Sequence, residues 1–272
     1  MAHLKYTPVP RMLAKGVTLL QQIDSQNTSL HYIELKVMKL SAESSYQESL
    51  GEKEVCVVAL TGKITVTDGE KQFSDLGTRK SVFEKIPTDS VYISIKQTFK
   101  ISAVTEAVVV LCYAPSDKKK TTTLIKASDN TIEHRGVQQN KRLVHNILPD
   151  TCSIADRLLV VEVFTDGGNW SSYPPHKHDQ DDLPRESLLE ETYYHEMNPR
   201  QGFVFQRVYT DDRLLDETMT VENGDVVVVP KGYHPVGVPD GYDSYYLNVM
   251  AGPLRKWQFH NDPAHEWLLD RK

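Results

Sequence analysis

Two histidines separated by one residue, His176 and His178, are the side chains of this sequence best suited to chemistry. On an extended strand alternate side chains point to the same face, so both imidazoles can reach one metal ion. Two adjacent glutamates, Glu190 and Glu191, follow in a tyrosine-rich run, and His234 ends the run Gly-Asp-Val-Val-Val-Val-Pro-Lys-Gly-Tyr-His. Three imidazole nitrogens and one carboxylate suit a divalent transition metal, and Zn²⁺, Mn²⁺, Fe²⁺ and Ni²⁺ all fit such a set. The sequence therefore predicts one metal site.

The elements that must position these residues are short strands. In the first half the pattern predicts strands at 32–37, 55–60, 64–67, 91–95 and 108–113. In the second half it predicts strands at 157–164, 192–195, 202–209, 225–229 and 245–249. Apolar and polar residues alternate in the first of these, several others are short apolar runs, and turn residues separate them. Many short strands at near-regular spacing predict an all-β protein, a sandwich or a jelly-roll barrel.

The predicted strands fall into two groups on either side of a polar segment rich in Lys, Thr, Asn and Gln. This division predicts an N-terminal barrel at 1–115, a connection at 116–142 and a C-terminal barrel at 143–272 that carries the candidate ligands. Helical signals are few. The clearest is 262–269, with Asp262 as the N-cap and Pro263 at the first helical position.

An internal repeat relates the two halves. The run at 80–89 resembles the run that leads to His234, and superposing the prolines of the two runs places Val91 at the position of the histidine. Glu54, just before an apolar strand, then takes the place of Glu191. The first half therefore keeps the strand pattern without the ligands. We expect it to contribute stability and oligomer contacts, with no chemistry of its own.

Composition excludes several classes of protein. The 272 residues can form one large core or two domains of ordinary size, and 39% hydrophobic with 25% charged residues is typical of a globular protein. A net charge of −6 leaves no electrostatic footprint for nucleic acid. The basic run at 118–120 lies in the polar connection, where a solvated turn is the expected structure.

The lack of a recognisable targeting signal and the cysteine usage favour a cytoplasmic protein without membrane partners. The first residues lack an apolar segment of signal-peptide length, and no stretch approaches the roughly 20 apolar residues that span a bilayer. Three scattered cysteines, Cys56, Cys112 and Cys152, fit buried thiols in a reducing compartment better than disulfides.

Two motifs in the second half resemble the metal-binding motifs of the cupin superfamily. They are His-x-His followed by a glutamate, and Gly-x5-Pro-x-Gly-x-His. The usual first motif has a turn residue seven positions after its glutamate. Counting from Glu191 reaches Asn198, which precedes Pro199, so the resemblance favours Glu191 as the ligand, with Glu190 as the alternative. The sequence departs from the usual motifs in two ways. The interval between His178 and Glu191 is long, which implies an inserted loop at 180–188. In the second motif a single residue, Tyr233, lies between the last glycine and the histidine.

Those departures are shared with one bicupin family that the chain closely resembles along its whole length. It is the family of 5-deoxy-glucuronate isomerases of bacterial myo-inositol catabolism, relatives of the pectin-pathway ketol isomerase. The resemblance is carried by Pro-Pro-His-Lys-His-Asp, Glu-Glu-Thr-Tyr-Tyr-His and Val-Pro-Lys-Gly-Tyr-His-Pro-Val, and is strongest over 167–252. It implies a fold of two jelly-roll barrels and an aldose–ketose isomerisation of a sugar acid. The ligands implied are His176, His178, Glu191 and His234.

An isomerase of this kind needs a base within hydrogen-bond reach of the carbon next to the carbonyl group. Three residues near the glutamate ligand are candidates, and the sequence leaves the choice among them open: Glu190, Tyr193 and His195. Two other functions use the same motifs. A cupin dioxygenase would hold Fe²⁺ and consume oxygen, and a catalytically silent bicupin would bind sugar without turnover.

The substrate implied by the resemblance carries a carboxylate remote from the reacting aldehyde. A cation should therefore face the barrel mouth, and arginine suits this role because its planar fork can donate two hydrogen bonds to a carboxylate. The candidates nearest in sequence to the ligands are Arg185 in the inserted loop, Arg207 on a strand and Lys231 beside the His234 loop.

Overall fold

The computed structural model describes residues 3–271 and consists almost entirely of β-strands. In the first half the strands are β1 (Lys5–Tyr6), β2 (Arg11–Ala14), β3 (Val17–Ile23), β4 (Glu34–Leu40), β5 (Ser45–Ser49), β6 (Lys53–Thr61), β7 (Ile64–Thr67), β8 (Gln72–Leu76), β9 (Ser90–Ile93), β10 (Thr98–Ala103) and β11 (Ala107–Pro115). Within 3–271, no helix has the length and apolar character needed to cross a membrane.

The remaining strands belong to the connection and to the second half. They are β12 (Thr123–Ile125), β13 (Thr131–Arg135), β14 (Arg142–Leu148), β15 (Leu159–Thr165), β16 (Trp170–Ser171), β17 (His176–Lys177), β18 (Asp179–Asp182), β19 (Glu186–Leu188), β20 (Glu190–Asn198), β21 (Phe203–Tyr209), β22 (Asp216–Glu222), β23 (Val226–Val229), β24 (Val236–Gly237), β25 (Asp243–Ala251) and β26 (His260–Asn261). Four 3₁₀ helices lie at Val82–Glu84, Ala127–Asp129, Gln138–Asn140 and Glu266–Asp270.

Each half is built from a seven-stranded and a four-stranded antiparallel sheet. The N-terminal sheets have the orders β12-β9-β6-β11-β4-β3-β2 and β5-β10-β7-β8. The C-terminal sheets have the orders β1-β23-β20-β25-β15-β14-β13 and β16-β24-β21-β22. Every strand predicted from the sequence is confirmed, with shifted ends, and so is the all-β class. The matching strand orders show that the two halves repeat one plan.

The large sheets of the two halves are buried on both faces. One continuous apolar cluster includes Cys56 and Val110 from the first half and Leu247 from the second, so it lies where the halves meet. The alternate residues of the same strands, such as Val57 and Val109, belong to a separate cluster inside the first barrel. Burial on both faces explains why these strands are continuous apolar runs instead of alternating ones.

Two short strands cross between the halves. Strand β1 pairs with β23, with Lys5 opposite Val227, so the start of the described chain adds an edge strand to the C-terminal sheet. Strand β12 of the connection pairs with β9, with Leu124 opposite Val91, and adds an edge strand to the N-terminal sheet. Each short strand pairs with the strand that would otherwise lie at the edge of the large sheet, β23 in the second half and β9 in the first. The exchange covers edges that would otherwise be open.

The register of the central strands corrects the sequence alignment of the repeat at the glutamate. Glu191 on β20 pairs with Val229, the last residue of β23. On β6 it is Val55 that pairs with Ile93, the last residue of β9. Val55 is therefore the counterpart of Glu191, and the predicted equivalence of Glu54 with Glu191 is wrong by one residue. A shift of one residue moves a side chain to the opposite face of the sheet.

The same register corrects the second position of the repeat. Val91 pairs with Val57 in the middle of β9 and corresponds to Val227, two residues before the end of β23. It lies in the strand, whereas His234 lies in the loop that follows the strand, so Val91 is not the counterpart of His234. Superposition of the two prolines failed because Pro87 precedes β9 whereas Pro230 follows β23.

The helix predicted at 262–269 is wrong. The segment forms turns and then a short 3₁₀ helix at Glu266–Asp270, in which Leu268 is buried while Trp267 and Leu269 are exposed. Asp262 caps a turn by accepting from the backbone N–H of Ala264 at 2.9 Å. Because the segment has no apolar stripe along one face, packing does not stabilise a regular helix of this length.

Candidate metal centre

The alternation of strand β20 decides which side chains enter the second barrel. Glu191, Tyr193 and His195 point to its interior, while Glu190 and Tyr194 face the opposite side. The interior thus receives a carboxylate, a phenol and an imidazole at successive inward positions of one strand. This placement follows directly from the spacing of the three residues in the sequence.

His178, Glu191 and His234 form a buried cluster whose ligand atoms lie within 4.8 Å of one another. His178 Nε2 is 3.0 Å and His234 Nε2 is 3.1 Å from the same carboxylate oxygen, Oε2 of Glu191. The glutamate comes from β20, His178 from the residue between β17 and β18, and His234 from the loop between β23 and β24. Closure of the barrel brings the three segments together.

The backbone fixes the orientation of both imidazoles. His178 Nδ1 donates to the carbonyl oxygen of Leu189 at 3.0 Å, and His234 Nδ1 donates to that of Gly232 at 2.8 Å. A carbonyl oxygen can only accept, so Nδ1 of each ring carries a proton, and when the ring is neutral its Nε2 presents a lone pair to the cluster. Within the described chain His234 Nε2 makes no well-directed hydrogen bond, although the Glu191 oxygen is 3.1 Å away. These converging donors fit a bound cation.

The charges in the cluster also fit a cation. Burial opposes ionisation of Glu191, but the electrostatic effect of the adjacent His234 and the hydrogen bond with His178 outweigh it and lower the pKa of this carboxyl group. Burial acts to lower the pKa of His178, but the hydrogen bond and charge of Glu191 outweigh it and raise that pKa. A carboxylate that remains ionised in a buried site supplies the negative charge that a divalent ion requires.

His176 borders this cluster and is half-buried. Its ring centroid lies 5.0 Å from that of His234 and 6.3 Å from that of His178, and its other neighbour is Phe259 at 4.7 Å. Its Nδ1 is 3.4 Å from the carbonyl oxygen of Pro174. Burial, followed by the charges of His234 and His178, lowers the pKa of His176 well below its usual value, so the ring is neutral near pH 7. Three of the four predicted ligands therefore form the cluster, and the fourth, His176, lies beside it.

A buried ion cluster joins the two segments that carry the histidines. Lys177 Nζ donates to Asp179 at 2.8 Å and to Glu186 at 2.9 Å. The other carboxylate oxygen of Asp179 accepts from the backbone N–H of Gly232 at 2.8 Å. Gly232 in turn supplies the carbonyl oxygen that orients His234. The inserted hairpin therefore fixes the second-motif loop through hydrogen bonds.

The second-motif loop depends on a glycine. Gly232 has φ +95°, and a Cβ there would meet the carbonyl oxygen of Tyr209 at 2.5 Å. The backbones of Tyr209 and Tyr233 exchange two hydrogen bonds of 2.9 and 2.8 Å beside it. This close approach excludes any residue larger than glycine at position 232. The two backbone hydrogen bonds hold Tyr233, the single residue between Gly232 and His234, in one conformation.

Tyr193 and His195 line the barrel next to the cluster. The Tyr193 ring centroid is 5.8 Å from that of His234, and its hydroxyl lies 3.0 Å from Ser172 Oγ. Burial and then the charge of Glu191 raise the pKa of Tyr193 well above its usual value, so the hydroxyl stays protonated. His195 lies one inward position further along the strand and stacks on the Tyr193 ring at 6.0 Å.

His195 is a neutral imidazole in this interior. Burial lowers its pKa to about 4, and its Nε2 lies 3.1 Å from Gln206 Oε1. Within residues 3–271 its Nδ1 has no hydrogen-bond partner. Tyr193 separates it from Glu191 along the strand, so His195 contacts the cluster through that ring.

The structure does not bring Glu190, the third catalytic candidate, to the cluster. Its carboxylate accepts the backbone N–H groups of His31 at 2.9 Å and Tyr32 at 2.7 Å. Both donors belong to the first half, so Glu190 joins the two barrels. The one-residue offset from Glu191 places it on the opposite face of β20.

None of the three cations proposed for the substrate carboxylate reaches the barrel interior. Arg185 is exposed and pairs with Asp182 at 2.7 Å. Arg207 faces outward and donates two hydrogen bonds of 2.7 Å to Asp216. Lys231 is exposed. Sequence proximity to the ligands selected them, whereas the inner wall of the barrel is formed by strands distant in sequence.

Sequence reasoning missed two groups beside the site. Arg142 opens β14, but the predicted boundary assigned it to the connection. Lys177 and its acidic partners received no role, although Lys177 and Asp179 alternate with His176 and His178 in the sequence. Their burial depends on the fold of the inserted hairpin, which local pattern does not predict.

Two jelly-roll barrels in one chain, the second with a histidine–glutamate cluster on its inner wall, define a bicupin. Solved structures of oxalate decarboxylases share this fold. A variant of the Bacillus subtilis enzyme has a TM-score of 0.68 at 12% identity, covering 96% of this chain and 80% of that one. The Lactobacillus farciminis enzyme has a TM-score of 0.71 at 14% identity, covering 100% and 91%. This similarity is one of fold alone.

The chain belongs to the KduI/IolB family, whose model matches residues 7–268. It is 66% identical over 271 residues to a 5-deoxy-glucuronate isomerase of Bacillus licheniformis and 65% identical to that of Bacillus subtilis strain 168, covering all of each chain. A crystal structure of an IolB-like protein from Salmonella typhimurium has a TM-score of 0.94 at 47% identity, covering 98% of this chain and all of that one. The chain is therefore an enzyme of the isomerase class.

Proposed function

We propose that this chain is a metal-dependent aldose–ketose isomerase that interconverts 5-deoxy-D-glucuronate and 5-dehydro-2-deoxy-D-gluconate. The observation that carries the proposal is the buried convergence of His178, Glu191 and His234, whose ligand atoms lie within 4.8 Å of one another. Full-length relatives at 65–66% identity with the printed name 5-deoxy-glucuronate isomerase support the substrate.

The residues proposed to hold one divalent ion are His176, His178, Glu191 and His234. Three imidazoles and a carboxylate accept Zn²⁺, Mn²⁺, Fe²⁺ or Ni²⁺. A bound ion of this kind stabilises the negative charge that develops on neighbouring substrate oxygens when a proton leaves the adjacent carbon. The Nδ1 hydrogen bonds of His178 and His234 to backbone carbonyl oxygens keep the Nε2 atom of each ring directed at the centre of the cluster, where the ion would bind.

Tyr193 is proposed to donate a hydrogen bond to the reacting oxygens of the substrate. Its hydroxyl remains protonated beside the ionised Glu191, and its ring is adjacent to His234. His195 holds the Tyr193 ring by stacking and is itself fixed by Gln206. The fully buried interior around these residues excludes water, which strengthens each hydrogen bond to a developing charge.

Turnover of 5-deoxy-D-glucuronate by metal-replete protein tests the proposed function. We expect a ketose product of unchanged mass and no oxygen uptake. His178→Ala and Glu191→Gln are expected to lose both bound metal and turnover, whereas His134→Ala, an exposed histidine on β13, keeps both. Metal content of the purified variants is measured by elemental analysis.

Three results would contradict the proposal. Oxygen consumption with an oxidised product would indicate a dioxygenase. Saturable binding of the sugar acid without turnover would indicate a binding protein. Stoichiometric metal in a His176→Ala/His178→Ala double variant would show that the ion is held elsewhere.

A further inference from the structure

Arg142 lies on the inner wall of the second barrel. Val144, two residues further along β14, pairs with Val163, and Val163 pairs with Tyr246 on β25. Tyr246 faces the interior, because its ring packs against Tyr193 at 4.8 Å. Residues two apart on a strand share a face, so Arg142 points to the same interior side as Val144.

The guanidinium of Arg142 has an incomplete set of partners. Its Nη1 donates to the carbonyl oxygen of Asn140 at 2.9 Å and to the Asn140 side-chain oxygen at 2.7 Å. Among residues 3–271 no carboxylate pairs with it, and its Nε and Nη2 make no hydrogen bond. Arg79, by contrast, is fully buried and paired with Glu162. A partly buried guanidinium without a counter-ion is a receptor for an anion.

The position of Arg142 is fixed before any ligand arrives. Asn140, which accepts from its Nη1, donates through its own amide to the carbonyl oxygen of Tyr173 at 2.9 Å. Tyr173 belongs to the segment that leads to His176. Gly136 has φ +83°, and a Cβ there would meet the Asn140 carbonyl oxygen at 1.7 Å and Arg142 Nη1 at 2.9 Å. The tight hairpin therefore holds the guanidinium relative to the ligand segment.

Arg142 acts on the same interior space as the metal cluster. Tyr246, which shares the inner face with Arg142, packs against Tyr193, and the Tyr193 ring centroid is 5.8 Å from that of His234. Phe259 packs on His176 at 4.7 Å and lies 6.2 Å from the ring of Trp257. These aromatic rings border the space beside His176. Arg135, the neighbouring cation, is paired with Glu133 and lies over Trp257.

We infer that Arg142 recognises the carboxylate of a sugar-acid substrate while the carbonyl end of that substrate lies at the His178–Glu191–His234 cluster. The inference rests on the proposed function, which supplies an open-chain substrate with its carboxylate remote from the aldehyde. The free Nε and Nη2 form the planar fork that binds a carboxylate through two hydrogen bonds. Arg142 thereby takes the role that sequence proximity had suggested for Arg185, Arg207 and Lys231.

The test compares two substrates in three variants. One substrate is 5-deoxy-D-glucuronate, and the other is the neutral aldose with a hydroxymethyl group in place of its carboxylate. In Arg142→Gln we expect kcat/KM for the acid to fall at least about thirtyfold, because a buried charge partner is lost, while kcat/KM for the neutral aldose and the metal content stay unchanged. Arg142→Lys keeps the charge without the fork and should lose about tenfold for the acid alone. Arg207→Gln, on the outer face, should match the parent enzyme.

The two substrates separate failure of the inference from failure of the proposed function. If the parent enzyme turns over neither sugar, the proposed function fails. If it isomerises the acid but Arg142→Gln loses neither substrate, or Arg142→Lys loses both equally, Arg142 does not recognise the carboxylate. If Arg142→Gln does not fold, the comparison is made in Arg142→Lys, through the ratio of kcat/KM for the acid to kcat/KM for the neutral aldose. Equal kcat/KM for the two sugars in the parent enzyme would likewise overturn the inference.

Discussion

Glu54 and Glu190 occupy equivalent positions in the two barrels, and each accepts backbone N–H groups from the opposite half of the chain. Glu54 accepts from residues 156–158 at 2.7–2.8 Å, just before the strand that starts the central part of the second barrel. Glu190 accepts from residues 31 and 32 at 2.7–2.9 Å, just before the corresponding strand of the first barrel. Both carboxylates are buried, and each satisfies donors that have no strand partner.

This reciprocal pair explains why a glutamate recurs in a half that has no ligands. The next residue on each strand faces the barrel interior, where the second half has Glu191 and the first half has Val55. Val55 belongs to the apolar cluster that fills the first barrel. The repeat therefore conserves the contact between the halves in both copies and places the ligand in one.

Glu54→Gln is expected to reduce stability without affecting chemistry. A glutamine offers one acceptor oxygen where the carboxylate satisfies three backbone donors and the Tyr92 hydroxyl. We expect a loss of about 2–4 kcal/mol in the free energy of unfolding, with bound metal and kcat of the folded protein nearly unchanged. Urea unfolding and elemental analysis measure the two effects.

Glu191→Gln is the matched comparison, because it makes the same change at a ligand. It should depress bound metal and kcat strongly. Equal losses of metal and turnover in the two variants would show that the first barrel holds a working site and that its structural role is misassigned.

The candidate ligands could be recognised in the sequence because each motif is local, although closure of the barrel is what brings the motifs together. Two histidines two residues apart share a face of an extended chain. The glutamate lies near the start of β20, and the last histidine lies in the loop after β23. The strands of both halves were also predicted, since burial on both faces leaves continuous apolar runs at 55–60 and 226–229.

Other features depend on partners distant in sequence and could not be predicted. Glu190 and Glu191 differ only by the face of β20 on which they lie, and the register that decides this is set by β23 and β25. Arg142 enters the interior because of where β14 pairs with β15. The C-terminal helix signal was overridden because Asp262 is tied to Tyr209 by a hydrogen bond of 2.8 Å.

Asp179→Asn should weaken metal binding without removing a ligand. The carboxylate joins Lys177 to the backbone N–H of Gly232, which positions the carbonyl oxygen that orients His234. Loss of a residue that orients a ligand typically lowers metal affinity by about tenfold to a hundredfold. Competition with a fluorescent chelator measures this affinity.

Asp182→Asn provides the control for that experiment, since Asp182 lies in the same hairpin but is exposed and forms an exposed ion pair with Arg185. Its metal affinity should equal that of the parent protein. Raising the metal concentration should restore much of the kcat of Asp179→Asn. If metal affinity were unchanged in Asp179→Asn, the hairpin would have no part in positioning His234.

Tyr193→Phe is expected to lower kcat with bound metal retained. The phenol is a protonated group beside the cluster, and removing its hydroxyl takes away the hydrogen-bond donor that we propose for the reacting oxygens. Removal of one hydrogen-bond donor to a developing negative charge typically lowers kcat by about a hundredfold or more. Tyr194→Phe, the neighbour on the opposite face, removes a hydroxyl that donates to Glu196 and should leave kcat unchanged. Similar turnover in both variants would exclude Tyr193 from the reaction.

A buried charged group between the barrels makes stability depend on pH. Arg79 of the first half pairs with Glu162 of the second, and Glu162 also accepts from the Tyr245 hydroxyl at 2.8 Å. Burial opposes ionisation of Glu162, but the charge of Arg79 and the hydrogen bonds outweigh it and lower the pKa of Glu162 to about 2. Because the folded-state pKa lies below the unfolded value, this carboxylate stabilises the fold above the unfolded pKa. The stabilisation is lost as the pH falls toward the folded pKa.

Glu162→Gln tests this dependence by removing the titrating group. It leaves Arg79 buried without a counter-ion, so the variant should be less stable than the parent by several kcal/mol near neutral pH. The difference in unfolding free energy between parent and variant should then narrow from about pH 5 to about pH 3, because only the parent loses the ionised pair. Urea unfolding at each pH gives the difference. Asp216→Asn, which removes an exposed pair with Arg207, should show little difference at any pH. If the difference in unfolding free energy between the parent and Glu162→Gln stayed constant from about pH 5 to about pH 3, Glu162 would not titrate with a lowered pKa in the folded protein.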